Sequence, residues 1–362
     1  MSLRAQVAVL PKGSGPLQIQ EVPFPDPGPH QVVVRLRSSG VCGTQIHQIR
    51  GERPTDRLLG HEACGEVIAA GPEVTAAGVG QDVIVTWIPC RDIGGRAIEH
   101  AQLTLGDGSV PAVSGAFTWA DHTLVDEALV SPVQAGLPTA AAIIGCAVMT
   151  GAGAVLRAAQ VTAGNSVAVF GAGGVGLSAI AAAAHVGADP IFAVDLDTAK
   201  LGLAKSLGAT RLIDASSVDP VREILDLTRG QVRSTAGQVV EGVDFAFDCV
   251  GSNVTTAQAL GAVHAAIPPW EPNGTTVLVG IPSANYELVT REIFRGKTFR
   301  GALAGGCMPD RDFPVFIEWS QTGQLDLDQL VTDRYPFEDI NAATDALQEG
   351  RVRGRAIVEF HH

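Results

Sequence analysis

Hydrophobic and polar positions follow two different rhythms along this chain. Up to about residue 148 they alternate over short stretches. Leu17–Val22, Gln31–Arg37, Gly65–Ala70 and Asp82–Thr86 each put apolar side chains on one face, the pattern of half-buried strands. The run from Pro23 to Pro29 has a proline at every second position, which no ladder tolerates, so it is a loop. Short strands at this spacing predict a small β-barrel-like domain. Beyond that point the apolar runs become continuous. Asn165–Gly171 reads as a buried strand followed by a glycine-led helix to His185; Pro190–Asp195 is a second strand and Thr198–Leu207 a second helix. Val243–Val250 and Gly274–Gly280 repeat the strand pattern. Strands alternating with helices predict βαβ units, hence an α/β fold with a doubly wound parallel sheet. Gly230–Gly242 and Ile267–Asn273 read as loops, and from about Ala304 mixed helix and strand return. The expected segments are 1–147, 148–303 and 304–362.

Composition narrows the class of function. A chain of 362 residues, 46% hydrophobic and 17% charged, has enough apolar surface for two packed domains and no tract that would stay disordered. Its net charge of −13 makes nucleic acid and anionic membrane surfaces poor partners. The longest apolar stretches, such as Ala179–His185, are too short to span a bilayer, and the first residues show no apolar leader. Six cysteines scattered singly imply a reduced, cytoplasmic setting rather than a disulfide framework.

Two constellations carry chemistry. Gly171-x-Gly173-x-x-Gly176 directly follows a predicted strand and opens a predicted helix, the context in which such glycines hold a dinucleotide. Gly171 permits the tight turn, Gly173 lets the backbone approach a pyrophosphate, and Gly176 allows close helix–strand packing. The helix start, through Gly174 and Val175, turns free N–H groups and a positive dipole end toward the phosphates. Asp195, at the end of the next strand, is placed to accept hydrogen bonds from the ribose hydroxyls and to repel a 2′-phosphate, which favours NAD over NADP; Lys200 lies just beyond. The second constellation is Cys42, His61 and Cys146, which would give zinc three ligands and leave a fourth position open, with Glu62 as a supporting carboxylate or occasional ligand. Taken singly, each of these residues is as readily a small buried core group.

Longer motifs decide between those readings. Gly60-His-Glu-Ala-Cys-Gly-Glu-Val-Ile-Ala-Ala-Gly71, the junction from Gly145, and the runs from Asn165, Asp248, Val279, Gly301 and Arg355 together resemble a zinc-dependent alcohol dehydrogenase of the medium-chain dehydrogenase/reductase superfamily, in the liver-type branch. The resemblance spans essentially the whole chain. It implies a GroES-like β-barrel catalytic domain interrupted by a Rossmann NAD-binding domain, with the active site in the cleft between them. It further implies one catalytic zinc on Cys42, His61 and Cys146 beside Glu62, a proton relay through Thr44 and His47, and Arg355 at a pyrophosphate position. Val250, Gly280, Ile281 and Leu303 fall on the cofactor side, and Trp87, Ile281 and Leu303 fall where relatives line the substrate pocket. The implied reaction is reversible hydride transfer between NAD and an uncharged hydrophobic alcohol, aromatic or cyclic alcohols included, in a homodimer or homotetramer. A polyol or amino-alcohol dehydrogenase of the same superfamily, or a non-catalytic NAD-binding protein, are the competing readings.

The chain departs from that family at three places. Relatives often hold a structural zinc on four clustered cysteines, but here Cys90 is followed through Thr104 by no other cysteine; Asp92, Glu99 and His100 are poor substitutes, so this zinc is expected to be lost. Gln45 stands where relatives usually carry Asp, and Gly43 where some carry Arg against the pyrophosphate. The expected consequences are a retuned zinc and weaker NAD binding.

Overall fold

The computed structural model describes residues 3–230, 232–233, 239–265, 273–282 and 290–361. Most of the two loops expected at 230–242 and 267–273 therefore lies outside the described residues. The chain forms two compact units, Met1–Ala147 with Met308–His362, and Val148–Cys307. The return to the first unit comes at Met308, against the expected 304.

In the second unit, Val167–Phe170, Ile191–Asp195, Arg211–Asp214, Phe245–Asp248, Thr275–Leu278 and Thr298–Gly301 form one parallel sheet. The first strand lies centrally. The second and third follow on one side of it, and the fourth to sixth on the other. Reversing the direction of winding at the first strand opens a crevice at the carboxyl ends of the strands. Phe170, Phe192, Val194, Ile213, Ala246 and Ala259 are buried in one cluster, which is why these strands read as continuous apolar runs rather than alternating ones. Helix starts are set locally: Asp197 caps Thr198–Ser206, and Ser252 with Thr255 forms a capping box on Asn253–Ala262. Helix Gly174–His185 differs, because Gly173 at its N-cap has no side chain to occupy the free N–H groups.

The first unit is β-rich and organised around the long strand Gln31–Val41. Ala63–Ala70 pairs along one edge of it; His122–Asp126 and Arg355–Glu359 share the other. Register shifts between Val33 and Val34 and between Leu36 and Ser38 mark bulges, which increase the twist of this pairing. A four-stranded sheet, built from Arg4–Leu10, Gln18–Pro23, Arg57–Leu58 and Ala112–Val113, belongs to the same unit. Alternate residues of Gln31–Val41 feed different apolar clusters, Val32, Val34 and Leu36 one, and Val33 the other. Phe337, Ile340 and Ala356 sit in the first of these clusters, so the returning C-terminal segment completes the core of the N-terminal one. All six cysteines are free. No single helix among the described residues is long and apolar enough to cross a membrane.

Candidate metal centre and dinucleotide turn

Strand ends deliver the first site. Cys42 directly follows strand Gln31–Val41 and precedes helix Gly43–Arg50; His61 and Glu62 lead into Ala63–Ala70; Cys146 ends the helical turn Thr139–Gly145. Antiparallel pairing of Ala356 with Val41 brings Arg355 alongside. The ligand atoms of Cys42, His61, Glu62 and Cys146 all lie within 4.8 Å of one another. Two sulfurs, an imidazole and a carboxylate form the borderline-soft donor set that suits Zn²⁺.

The charges of this cluster compensate one another. A hydrogen bond from Cys146, helped by Arg355, pulls the Cys42 thiol well below its ordinary value against the effect of burial. The same hydrogen bond and burial push the Cys146 thiol well up. A divalent cation bound here would favour the thiolate form of both sulfurs. Burial opposes the Arg355 charge, yet Cys42, Glu62 and Cys146 hold its guanidinium above the usual range. Burial pushes the Glu62 carboxyl up, while Arg355 draws it back. Glu62 is fully buried and has a partner on each oxygen: Arg355 Nη2 donates to Oε1, and the Ala147 N–H donates to Oε2 at 3.4 Å. Arg355 Nε is buried with no partner. Gly40 makes room for this carboxylate, since a Cβ there would stand 2.4 Å from Glu62 Cδ.

The other expected residues surround this cluster. Thr44 Oγ1 lies 3.5 Å from Cys42 Sγ, and His47 is exposed three residues further along the same helix. The Trp87 ring lies 6.2 Å from that of His61, tilted by 55°, and its Nε1 is buried without a partner. Gln45 is buried between Cys42 and His61: its Oε1 accepts from the Cys42 N–H at 3.1 Å, and its amide nitrogen lies 2.5 Å from His61 Nδ1. Gly43 is exposed with open space around it.

Among the described residues no second group of His, Cys, Asp and Glu ligand atoms converges. Cys90 is fully buried, and burial pushes its thiol far up. The segment that follows is held by arginine forks instead. Arg91 bonds Asp310 through Nε and Nη2 and also reaches the carbonyls of Glu127 and Val130. Arg96 pairs with both oxygens of the buried Asp126 at 2.7 and 2.9 Å. Bidentate guanidinium–carboxylate pairs are directional enough to fix a loop of this length.

In the second unit the remaining candidates gather at the carboxyl ends of the parallel strands. Gly171 has φ +92° and a Cβ there would stand 2.5 Å from Val250 Cγ2; at Gly176 it would stand 1.8 Å from the Gly171 carbonyl oxygen. Gly173 has nothing within 4 Å of that position, so its surroundings are open. Asp195 ties the turn down, its Oδ2 accepting from Ala172 N at 2.7 Å and its Oδ1 from Asp197 N at 3.0 Å. Val250, Ile281 and Leu303 are exposed apolar residues following three successive strands, Gly280 packs against the backbone of Val250 and Gly251, and Lys200 is half-buried in its helix. Sequence reasoning missed Asp248, whose buried carboxylate accepts from the N–H groups of Val250 and Gly251 and from Thr256 Oγ1. An Asp ending an apolar strand with Gly three residues on was its visible signal.

Known proteins are similar to this chain along its length. Residues 28–135 match the alcohol dehydrogenase GroES-like domain, and residues 174–322 match the zinc-binding dehydrogenase family. The alcohol dehydrogenase class-3 of Cereibacter sphaeroides is 30% identical over 388 aligned positions, covering 99% of this chain and 100% of that protein. The S-(hydroxymethyl)glutathione dehydrogenase of Paracoccus denitrificans is 29% identical, covering 96% of this chain and 98% of its own. The crystal structure of benzyl alcohol dehydrogenase from Acinetobacter calcoaceticus superposes with a TM-score of 0.85 at 28% identity, covering 99% of this chain and all of the other. The buried Cys/His/Cys cluster, the glycine turn on a Rossmann-type sheet and this end-to-end similarity lead to one conclusion: the chain belongs to the zinc-binding medium-chain alcohol dehydrogenases, and it is an NAD-dependent zinc oxidoreductase.

Proposed function

We propose that this enzyme interconverts uncharged, hydrophobic alcohols, aromatic and cyclic ones included, with their aldehydes or ketones. The observation that carries this reading is the indole of Trp87 against the ring of His61. Arg355, a cation that acts on the Cys42 sulfur, is buried and paired with Glu62, which leaves it unsuited to a charged substrate. Similarity to an enzyme described as acting on benzyl alcohol supports the same class.

In this reading Cys42, His61 and Cys146 hold zinc beside Glu62, and Arg355, expected at the pyrophosphate, is buried and paired with that carboxylate. The Gly171–Gly176 turn and the uncapped start of its helix hold the pyrophosphate of NAD. Asp195 and Lys200 meet the ribose, and Val250, Gly280, Ile281 and Leu303 bound the nicotinamide half. When bound, zinc supplies Lewis acidity to the alcohol oxygen and NAD the hydride acceptor. Thr44 Oγ1 would accept the hydroxyl proton as it gives up its own toward His47, which is exposed on the same helix and would release a proton to solvent.

A second reading follows from the Paracoccus relative: a glutathione adduct, whose carboxylates would need unpaired cations. Comparing kcat/KM for benzyl alcohol, cyclohexanol, sorbitol and S-(hydroxymethyl)glutathione with NAD separates the two. The aromatic or cyclic alcohol is expected to lead by about 100-fold, the scale on which pockets discriminate. A lead for the glutathione adduct or for sorbitol would sink the proposal. His47→Gln is expected to lower kcat by roughly 10-fold with zinc content unchanged; an unchanged rate would remove the relay.

A further inference from the structure

The hydrogen bonds around Gln45 run in one direction only. The Cys42 N–H is a donor and nothing else, so the atom 3.1 Å from it must be the amide oxygen. That fixes the other end of the amide. Its nitrogen, also purely a donor, lies 2.5 Å from His61 Nδ1, which must therefore present a lone pair. A neutral imidazole then carries its proton on Nε2, and Nε2 faces Cys146 Sγ, a weak acceptor, at 3.3 Å. The Cys42 contact thus fixes the amide, and the amide fixes the tautomer.

That tautomer is the wrong one for a metal. Nε2 is the nitrogen on the side of the sulfurs, and a ligating nitrogen needs its lone pair free. For Nε2 to ligate, its proton must leave and Nδ1 must gain one, with no net change in the charge of the ring. Nδ1–H would then face an NH₂ group at hydrogen-bond distance. A half-turn of the amide relieves this clash but sets the NH₂ group against the Cys42 N–H. A carboxylate in this place would accept from both sides at once, whereas an amide has one accepting end. Gln45 is 1% exposed, so water has little room to bridge the difference.

We propose that Gln45 is a positioning residue that holds His61 as the Nε2–H tautomer in the metal-free chain, so that zinc enters only with a tautomer exchange and a turn of the Gln45 amide. The inference rests on the reading of Cys42, His61 and Cys146 as ligands. Its consequence is a zinc site that fills more weakly than the same three ligands would with a carboxylate behind His61.

The test uses the full chain, with zinc removed by a chelator and then titrated back. Imidazole ¹⁵N NMR of the metal-free protein should show His61 with a bare Nδ1 and a protonated Nε2, and the zinc-loaded protein a protonated Nδ1. Gln45→Glu keeps the length and supplies two accepting oxygens; it should show Nδ1–H already without metal and bind zinc about 10- to 100-fold more tightly in chelator competition. The NMR readout separates this mechanism from the attraction of an added negative charge, which would tighten zinc without changing the wild-type tautomer. Gln45→Asp serves if Gln45→Glu does not fold, and the wild-type spectrum stands alone in either case. A wild-type metal-free His61 protonated on Nδ1, or a Gln45→Glu affinity within about threefold of wild type, overturns the proposal. Wild-type protein that takes up zinc without perturbing His61 removes the ligand assignment itself, and the proposal with it.

Discussion

Replacing Arg355 with Met tests the charge balance of the metal centre directly. Arg355 and Glu62 are 6% and 0% exposed, so neither charge is screened by water. Removing the guanidinium leaves the buried Glu62 carboxyl beside Cys42, with the Ala147 N–H as its remaining hydrogen-bond donor. Breaking a buried pair from one side costs about 3–5 kcal/mol, because the surviving charge has lost its partner and cannot regain its water. For a unit of this size that is a fall in Tm of roughly 6 to 20 °C. The assay is thermal unfolding in excess chelator, so that zinc binding does not enter, followed by tryptophan fluorescence. Trp87, Trp119 and Trp319 all lie in the first unit, so the signal reports chiefly on the unit that contains the pair. Glu62→Gln is the second arm and the double variant closes the cycle. With both charges gone the neutral Gln still accepts from Ala147, so the double variant should recover at least about 2 kcal/mol relative to the sum of the singles. A single-variant loss below about 1 kcal/mol, or strict additivity, would refute the argument that these charges depend on one another.

The two glycines of the dinucleotide turn should separate stability from binding. Gly176→Ala places a methyl group 1.8 Å from the Gly171 carbonyl and is expected to lower Tm by several degrees. Gly173→Ala has open space and should leave Tm within about 1–2 °C while weakening NAD roughly 10-fold or more by titration; unchanged NAD affinity would remove the close approach at Gly173. Asp195→Gly should raise the ratio of NADP to NAD use by about 100-fold in kcat/KM, and an unchanged ratio would end its role at the ribose. Metal analysis of the purified chain should give one zinc per chain, and a reproducible value near two would contradict the loss of the structural site. Burial pushes the Asp126 carboxyl up, but the Arg96 fork and the N–H groups of Glu99 and Ala128 outweigh it and hold the group below its ordinary value. Its stabilising contribution is therefore complete above the unfolded value near 3.9 and lost as pH falls through the lower folded value. Urea midpoints of wild type and Asp126→Asn should converge as pH drops from about 6 to 3; a constant gap would mean the pair is not felt in stability.

Where function follows from local chain geometry, the sequence was readable. Gly171 lies in the turn with φ +92° and Gly176 packs against the Gly171 carbonyl, while Gly173 faces open space, because a strand–turn–helix is a short-range object. The parallel sheet was legible for the same reason: buried strands announce themselves as continuous apolar runs. The first unit was harder. Its candidate ligands come from three separate strand or turn ends, and only the resemblance to a family joined them. Gln45 was visible as a departure, yet the direction of its hydrogen bonds depends on the Cys42 N–H having no other acceptor, which is a fact of folding. Arg355 shows the limit most clearly. At 293 positions from Glu62 it begins an ordinary strand, R-A-I-V-E, with no local sign of a buried partner. What brings the two together is the register that sets Ala356 opposite Val41. A slip of one residue would turn the guanidinium to the other face of the sheet, away from both sulfurs. The electrostatics of the candidate metal centre are therefore decided by a strand pairing rather than by the motif that contains its candidate ligands.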